Sequence, residues 1–240
     1  MNSVRGFLFN MFYSLSVVLL GIPFLIVGPF IGFRGRTRLF AFWTRVVQWI
    51  LRLVCGIRVR VEGAANIPDY PVVVIANHQS SWETFAFYNL FYPICTVLKR
   101  ELTWIPVFGW LLRWSRPIII DRRRKTTSLK EILRQGQDRL KAGLSVMIFP
   151  EGTRVAPGEQ KAYLPGGAML AVKAQVPVLP IAHNAGEHWP AHRLAKIPGE
   201  IVVSIGAPLP TQGRNAKGLN GELENWINGE KKRLTKEPES

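Results

Sequence analysis

Between Arg5 and Arg34 the chain carries no Asp, Glu, Lys or Arg, and Phe7 to Phe33 is dominated by Phe, Leu, Ile and Val. A run of this length is enough to span a bilayer. Gly21-Ile22-Pro23 and Gly28-Pro29 interrupt it, and cations flank both ends. The pattern predicts a helix from about Val4 to Leu20, a bend, and a second apolar piece that need not cross. Its length and the lack of an Ala-x-Ala site argue against a cleaved signal peptide.

The next segment, Arg36 to Arg60, mixes bulky apolar residues with cations. Arg38, Arg45 and Arg52 recur every seven residues on one helical side, and Phe42, Val46, Trp49 and Leu53 occupy another. A basic amphipathic helix with Trp at its edge fits a membrane interface. The plainer alternative is a helix packed on the domain with its arginines in water. Following an apolar run of membrane length, the interfacial reading is favoured, so residues 1–56 are expected to form a two-helix hydrophobic anchor.

From Ile57 onward short apolar runs alternate with helical stretches. Val72 to Ala76, Ile94 to Leu98, Pro117 to Ile120, Ser145 to Phe149, Val176 to Ala182 and Ile201 to Ile205 read as strands. Most lack polar alternation, so both faces should be buried. Helices are expected over Glu83 to Phe91, Gly166 to Gln175 and Leu219 to Leu234. Another should start at a capping box, Ser128-Leu-Lys-Glu131, and end at Gly143. The fold class is therefore α/β, a mostly parallel or mixed sheet flanked by helices over residues 57–240.

A net charge of +15 calls for an anionic partner: nucleic acid, an anionic membrane surface or a phosphorylated substrate. Composition does not choose among them. Cys55 and Cys95 lack ligand spacing, which predicts buried reduced thiols and no structural metal.

Polar clusters follow the strands. Ile75 precedes His78 and Glu83; Leu98 precedes Lys99, Arg100 and Glu101; Ile120 precedes Asp121 and Arg122; Phe149 precedes Glu151, Gly152, Thr153 and Arg154. Ligands in α/β sheets bind beyond the carboxyl ends of strands, so the clusters should converge on one cleft. A histidine titrates near neutral pH, and a carboxylate on its second ring nitrogen would set its tautomer and offset imidazolium charge. Taken singly, each cluster has a bland alternative: a turn histidine, a solvated strand end, a glycine turn. The other histidines, His183, His188 and His192, have no carboxylate at matching spacing and are expected at the surface or a substrate rim.

His78-x4-Glu83, Lys99-x-Glu101-Leu102, Phe149-Pro-Glu-Gly-Thr-Arg154 and Val176-Pro-Val-Leu-Pro180, in this order, resemble the four motif blocks of the glycerolipid acyltransferases. The resemblance covers roughly Arg58 to Gly206. One departure stands out: the family's commonest acid at the fifth position after histidine is Asp, and here it is Glu83. The resemblance implies acyl transfer from a thioester, of acyl carrier protein or CoA, to the sn-2 hydroxyl of lysophosphatidic acid. Other acceptors, glycerol-3-phosphate or a lyso-aminolipid, share the motifs. It implies His78 as base and Glu83 as its orienter. Lys99 and Arg154 would bind phosphate, Glu151 and Gly152 would shape that site, and Arg122 is a weaker phosphate candidate. No cofactor, metal or nucleic acid is implied, and the expected location is the cytoplasmic face of a bacterial inner membrane. A basic membrane-surface or nucleic-acid-binding module is the non-enzymatic alternative.

Overall fold

A computed structural model describes residues 1–121 and 125–235. Helix α1, Asn2–Val27, runs unbroken through Gly21 and Pro23, where the sequence predicted a bend. Proline deletes one backbone hydrogen bond of the helix. Gly21, however, serves a close contact rather than a break: a Cβ there would lie 2.6 Å from Val107 Cγ1. That face packs closely on the short helix after Val107, and α1 continues through the proline. The opposite face presents Phe7, Met11, Leu15, Val18, Ile22 and Ile26, all exposed, at helical spacing. Among the described residues it is the one helix long and apolar enough to cross a membrane.

Helix α2, Phe33–Cys55, carries three stripes. Phe40, Trp43, Val47, Leu51 and Cys55 are buried in the core. Phe42, Trp49 and Leu53 remain exposed, beside the exposed Arg38, Arg45 and Arg52. The apolar flank expected from the sequence is thus present and is not the flank that packs on the domain. Gly56, with φ +67, ends the helix in the left-handed region.

Seven strands follow in the order β1-β7-β6-β2-β5-β3-β4. They are β1 (Ile57–Glu62), β2 (Val73–Ala76), β3 (Ile94–Lys99), β4 (Ile118–Ile120), β5 (Ser145–Ile148), β6 (Val178–His183) and β7 (Gly199–Ile205). All pairings are parallel except β6 with β7. Strand β1 had no counterpart in the sequence reading, because Arg58 and Arg60 break its apolar run at a sheet edge. Between the strands lie α3 (Glu83–Leu90), α4 (Phe108–Leu112), α5 (Lys125–Lys141), α6 (Gly166–Ala174), α7 (Ala185–His188) and finally α8 (Ala216–Thr235).

The pleat sends Val72, Val74 and Ala76 to one face and Val73 and Ile75 to the other. The first face shares a core with α1, α2 and α3; the second packs on α5, α6 and α8. The two N-terminal helices are therefore built into the domain's own core. The predicted capping box does not form. Helix α5 begins a turn earlier, and the Ser128 hydroxyl donates to the Asp121 carbonyl at 2.6 Å instead of capping. Glu131 accepts from Arg134 and Gln135 ahead of it. The expected C-terminus holds, with Gly143 at φ +81.

Candidate active site

Strands β2, β5 and β3 are adjacent and parallel, so the loops after Ala76, Ile148 and Lys99 leave the sheet at the same edge. Beyond that edge lies a cavity of about 380 Å³. His78, Lys99, Arg154 and His192 line it, together with the hydroxyl side chains of Ser81, Thr84, Thr96 and Thr153. Its apolar wall comes from Phe85 and Tyr88 of α3, Leu98 of β3 and Phe108 of α4, and from Tyr13 of α1 and Phe40 of α2.

His78 Nδ1 and Glu83 Oε1 lie 2.7 Å apart. The same oxygen accepts the backbone N–H groups of Gln79 at 2.9 Å and Ser80 at 2.8 Å. Glutamate therefore reaches the imidazole from the first residue of α3, its extra methylene absorbed by the turn of Gln79 to Trp82. A carboxylate acceptor on Nδ1 defines Nδ1–H and leaves Nε2 as the free base. The ring also stacks on Phe149, centroids 4.3 Å apart. Burial disfavours charge on Glu83, but the nearby His183 and His78 rings and the Ser80 amide outweigh it and hold the carboxyl below its ordinary range.

Glu151 is not in the cavity. It is fully buried, its Oε2 accepting the His78 N–H at 2.5 Å and its Oε1 facing Lys231 Nζ of α8 at 3.4 Å. Burial pushes its carboxyl up, against the pull of Lys231 and the His78 N–H. Glu151, expected to shape a phosphate site, instead contacts the backbone of the histidine loop and does not line the cavity. The Val155 N–H donates to the His78 carbonyl at 2.8 Å, so the loop after β5 holds both sides of that peptide unit. Gly152 sits at φ +69, a turn conformation that side chains rarely adopt, and is outside the cavity lining.

Lys99 is exposed at the cavity mouth. Arg154 is half-buried there, and its Nε is shielded from solvent without a hydrogen-bond partner among the described residues. A buried guanidinium donor lacking an acceptor suits an anionic ligand. Arg122 lies outside the described residues. Among the described residues no cluster of His, Cys, Asp and Glu could hold a metal ion.

His183 is neither at the surface nor at the rim; it is completely buried. Its Nε2 donates to the Asn77 carbonyl at 2.9 Å, while its backbone N–H and C=O pair with the Asn77 side chain at 3.0 Å each. The Asn77–His183 pair ties the end of β2 to the end of β6, and burial lowers the pKa of the imidazole. His192 does line the cavity. The sequence reading missed the contribution of Tyr13 and Phe40, which only the docking of α1 and α2 brings to the site. It also missed Lys231, whose one sequence signal is that it continues the four-residue spacing of Leu219, Leu223 and Ile227.

A base, its carboxylate and two cations at the mouth of an apolar cavity suit acyl transfer to an anionic acceptor. Residues 58–184 match the model of the acyltransferase family, and the chain belongs to that family. It is 43% identical, over 94% of this chain and 90% of the relative, to the 1-acyl-sn-glycerol-3-phosphate acyltransferase of Pseudomonas aeruginosa. The human 1-acyl-sn-glycerol-3-phosphate acyltransferase alpha is 31% identical over 77% of this chain and 66% of its own length. The crystal structure of PlsC, the LPA acyltransferase of Thermotoga maritima, superposes over the whole of both chains with a TM-score of 0.83 at 23% identity, which places this chain in the same fold.

Proposed function

We propose that the protein transfers a fatty acyl group from an acyl thioester to the sn-2 hydroxyl of lysophosphatidic acid, forming phosphatidic acid. The observation that carries this reading is the buried His78–Glu83 pair opening onto an apolar cavity whose mouth holds Lys99 and Arg154. His78 Nε2 takes the proton of the acceptor hydroxyl as its oxygen bonds to the thioester carbonyl carbon. The tetrahedral adduct collapses, the carbon–sulfur bond breaks, and the imidazolium returns the proton to the departing thiolate. Glu83 orients the ring and offsets its transient charge. No covalent enzyme intermediate is required.

Arg154 and Lys99 receive the acceptor's phosphate, the first as a fork and the second as a point charge. The N–H groups of His78, Gln79 and Ser80 are already engaged by Glu151 and Glu83, so oxyanion stabilisation falls to other donors at the cavity. The fatty chain fills the apolar wall to which α1 and α2 contribute. The donor is acyl-CoA or acyl carrier protein, which share a phosphopantetheine arm. The exposed apolar stripe of α1, with Phe42, Trp49 and Leu53 of α2 between cations, supports membrane association at the anionic cytoplasmic face.

The test is product analysis with the full chain in lipid–detergent micelles, offering lysophosphatidic acid, glycerol-3-phosphate and a lyso-aminolipid with each thioester. Phosphatidic acid from lysophosphatidic acid is expected, and His78→Ala should abolish it with the fold retained. Activity that survives His78→Ala refutes the base assignment, and preference for another acceptor refutes the substrate.

A further inference from the structure

Leu219, Leu223 and Ile227 form the buried face of α8, and the next position on that face is Lys231, only 8% exposed. A lysine there is anomalous, since an unpaired ammonium in a core is strongly disfavoured. Its Nζ lies 3.4 Å from Glu151 Oε1 and 3.4 Å from the Glu159 carbonyl. Both distances exceed the usual hydrogen-bond range, so attraction between charges is the main interaction. Buried ion pairs contribute little net stability compared with apolar replacements. The pair therefore calls for a reason other than holding α8 down. That reason lies on the other carboxylate oxygen, which accepts the His78 N–H at 2.5 Å. A carboxylate buried with no countercharge would take up a proton and weaken that bond.

We propose that Lys231 is a positioning residue for acyl transfer: by pairing with Glu151 it keeps a carboxylate under the peptide of His78, and so keeps the imidazole aimed at the cavity. The proposal rests on His78 being the base. It joins the C-terminal helix, beyond the family-matched residues 58–184, to the catalytic loop through two contacts. The charged and titratable groups facing Glu151 are Lys231 from α8, His78 from the loop after β2 and the buried Tyr163 phenol, itself near Glu224. Lys231 is the cation among these that the structure places against the carboxylate. Burial raises the Glu151 pKa and Lys231 opposes the rise. Removing the ammonium lets Glu151 protonate at higher pH, so the acidic limb of kcat must move to higher pH.

The experiment compares Lys231→Met and Lys231→Arg with the wild type in micelles containing lysophosphatidic acid and acyl-CoA, recording kcat and KM against pH. His78→Ala is assayed alongside. In Lys231→Met, kcat should fall roughly 10- to 100-fold, the scale of a misplaced catalytic group. Acceptor KM should stay within about twofold, the small effect expected when a change acts on the transition state rather than on substrate binding. Its acidic limb should move upward, and Lys231→Arg should restore most of the rate and the limb. If Lys231→Met does not fold, Glu151→Gln/Lys231→Met takes its place, because it leaves no unpaired charge and retains an amide oxygen for the His78 N–H. That double variant should be active, and its acidic limb should not move upward, because no carboxyl remains at position 151 to protonate. Wild-type kcat and pH profile in Lys231→Met, with His78→Ala inactive, overturn the role of Lys231 and leave the base assignment standing. So does a double variant whose acidic limb moves upward, since Glu151 is then not the cause of the movement. Activity in His78→Ala overturns the base assignment and the proposal with it.

Discussion

Replacing Glu83 by Gln separates the charge of the carboxylate from its shape. The two backbone donors, Gln79 and Ser80, at 2.9 and 2.8 Å, fix which atom faces the loop, so the amide oxygen takes the place of Oε1. It still accepts the His78 Nδ1–H, and the tautomer survives. What is lost is attraction between a carboxylate and the imidazolium formed in the transition state. With charge centres about 4 Å apart and an effective dielectric near 20, that attraction is about 4 kcal/mol. At about 1.36 kcal/mol per decade it corresponds to roughly a 10³-fold fall in kcat. The amide NH2 must occupy the position of Oε2, which is buried without a hydrogen-bond partner among the described residues. That substitution costs about 1–3 kcal/mol of stability, so rates should be normalised to folded protein. The assay is thioester turnover with lysophosphatidic acid across a range of acceptor concentrations. Acceptor KM should barely move, since Glu83 does not line the cavity, and Glu83→Asp, which keeps the charge, should retain more of kcat than Glu83→Gln. A Glu83→Gln variant within tenfold of the wild-type kcat would refute the electrostatic argument.

Arg154→Ala should raise the acceptor KM, lowering kcat/KM about 10- to 100-fold for the loss of a charged hydrogen bond worth about 1.5–3 kcal/mol. Arg154→Lys should recover only part of it, and unchanged saturation kinetics in Arg154→Ala would place the phosphate elsewhere. Gly6→Ala tests the docking of α1, because a Cβ there would stand 1.8 Å from the Leu194 carbonyl oxygen, a backbone atom that cannot swing aside. A loss of about 1–3 kcal/mol is expected from such overpacking, read as a lower Tm in detergent; an unchanged Tm would mean that this face of α1 is free to shift.

The strand runs and the four helices anticipated after Ile57 were legible because burial on both faces and helical spacing leave periodic marks on a sequence. Bonds between distant segments leave none. The break expected at Gly21 failed because the same glycine can end a helix or admit a neighbour, and only Val107 packed against it distinguishes the two. The capping box failed at Ser128 for a similar reason: a hydroxyl serves either a helix amide or a distant carbonyl, here that of Asp121.

The site divides in the same way. His78, Glu83, Lys99 and Arg154 could be selected in the sequence, because each follows an apolar run and parallel strands bring such ends together. The sequence by itself determined the α/β class, the apolar N-terminal stretch with its basic companion helix, and which histidine and carboxylate to consider as a pair. The tertiary structure decided that Glu151 lies outside the cavity lining and holds the His78 peptide, that His183 clamps two strand ends, and that Lys231 occupies a core position on α8. Such roles follow from which buried polar groups meet. In a low-dielectric interior each must find a partner, and chain folding brings together partners as far apart as Glu151 and Lys231.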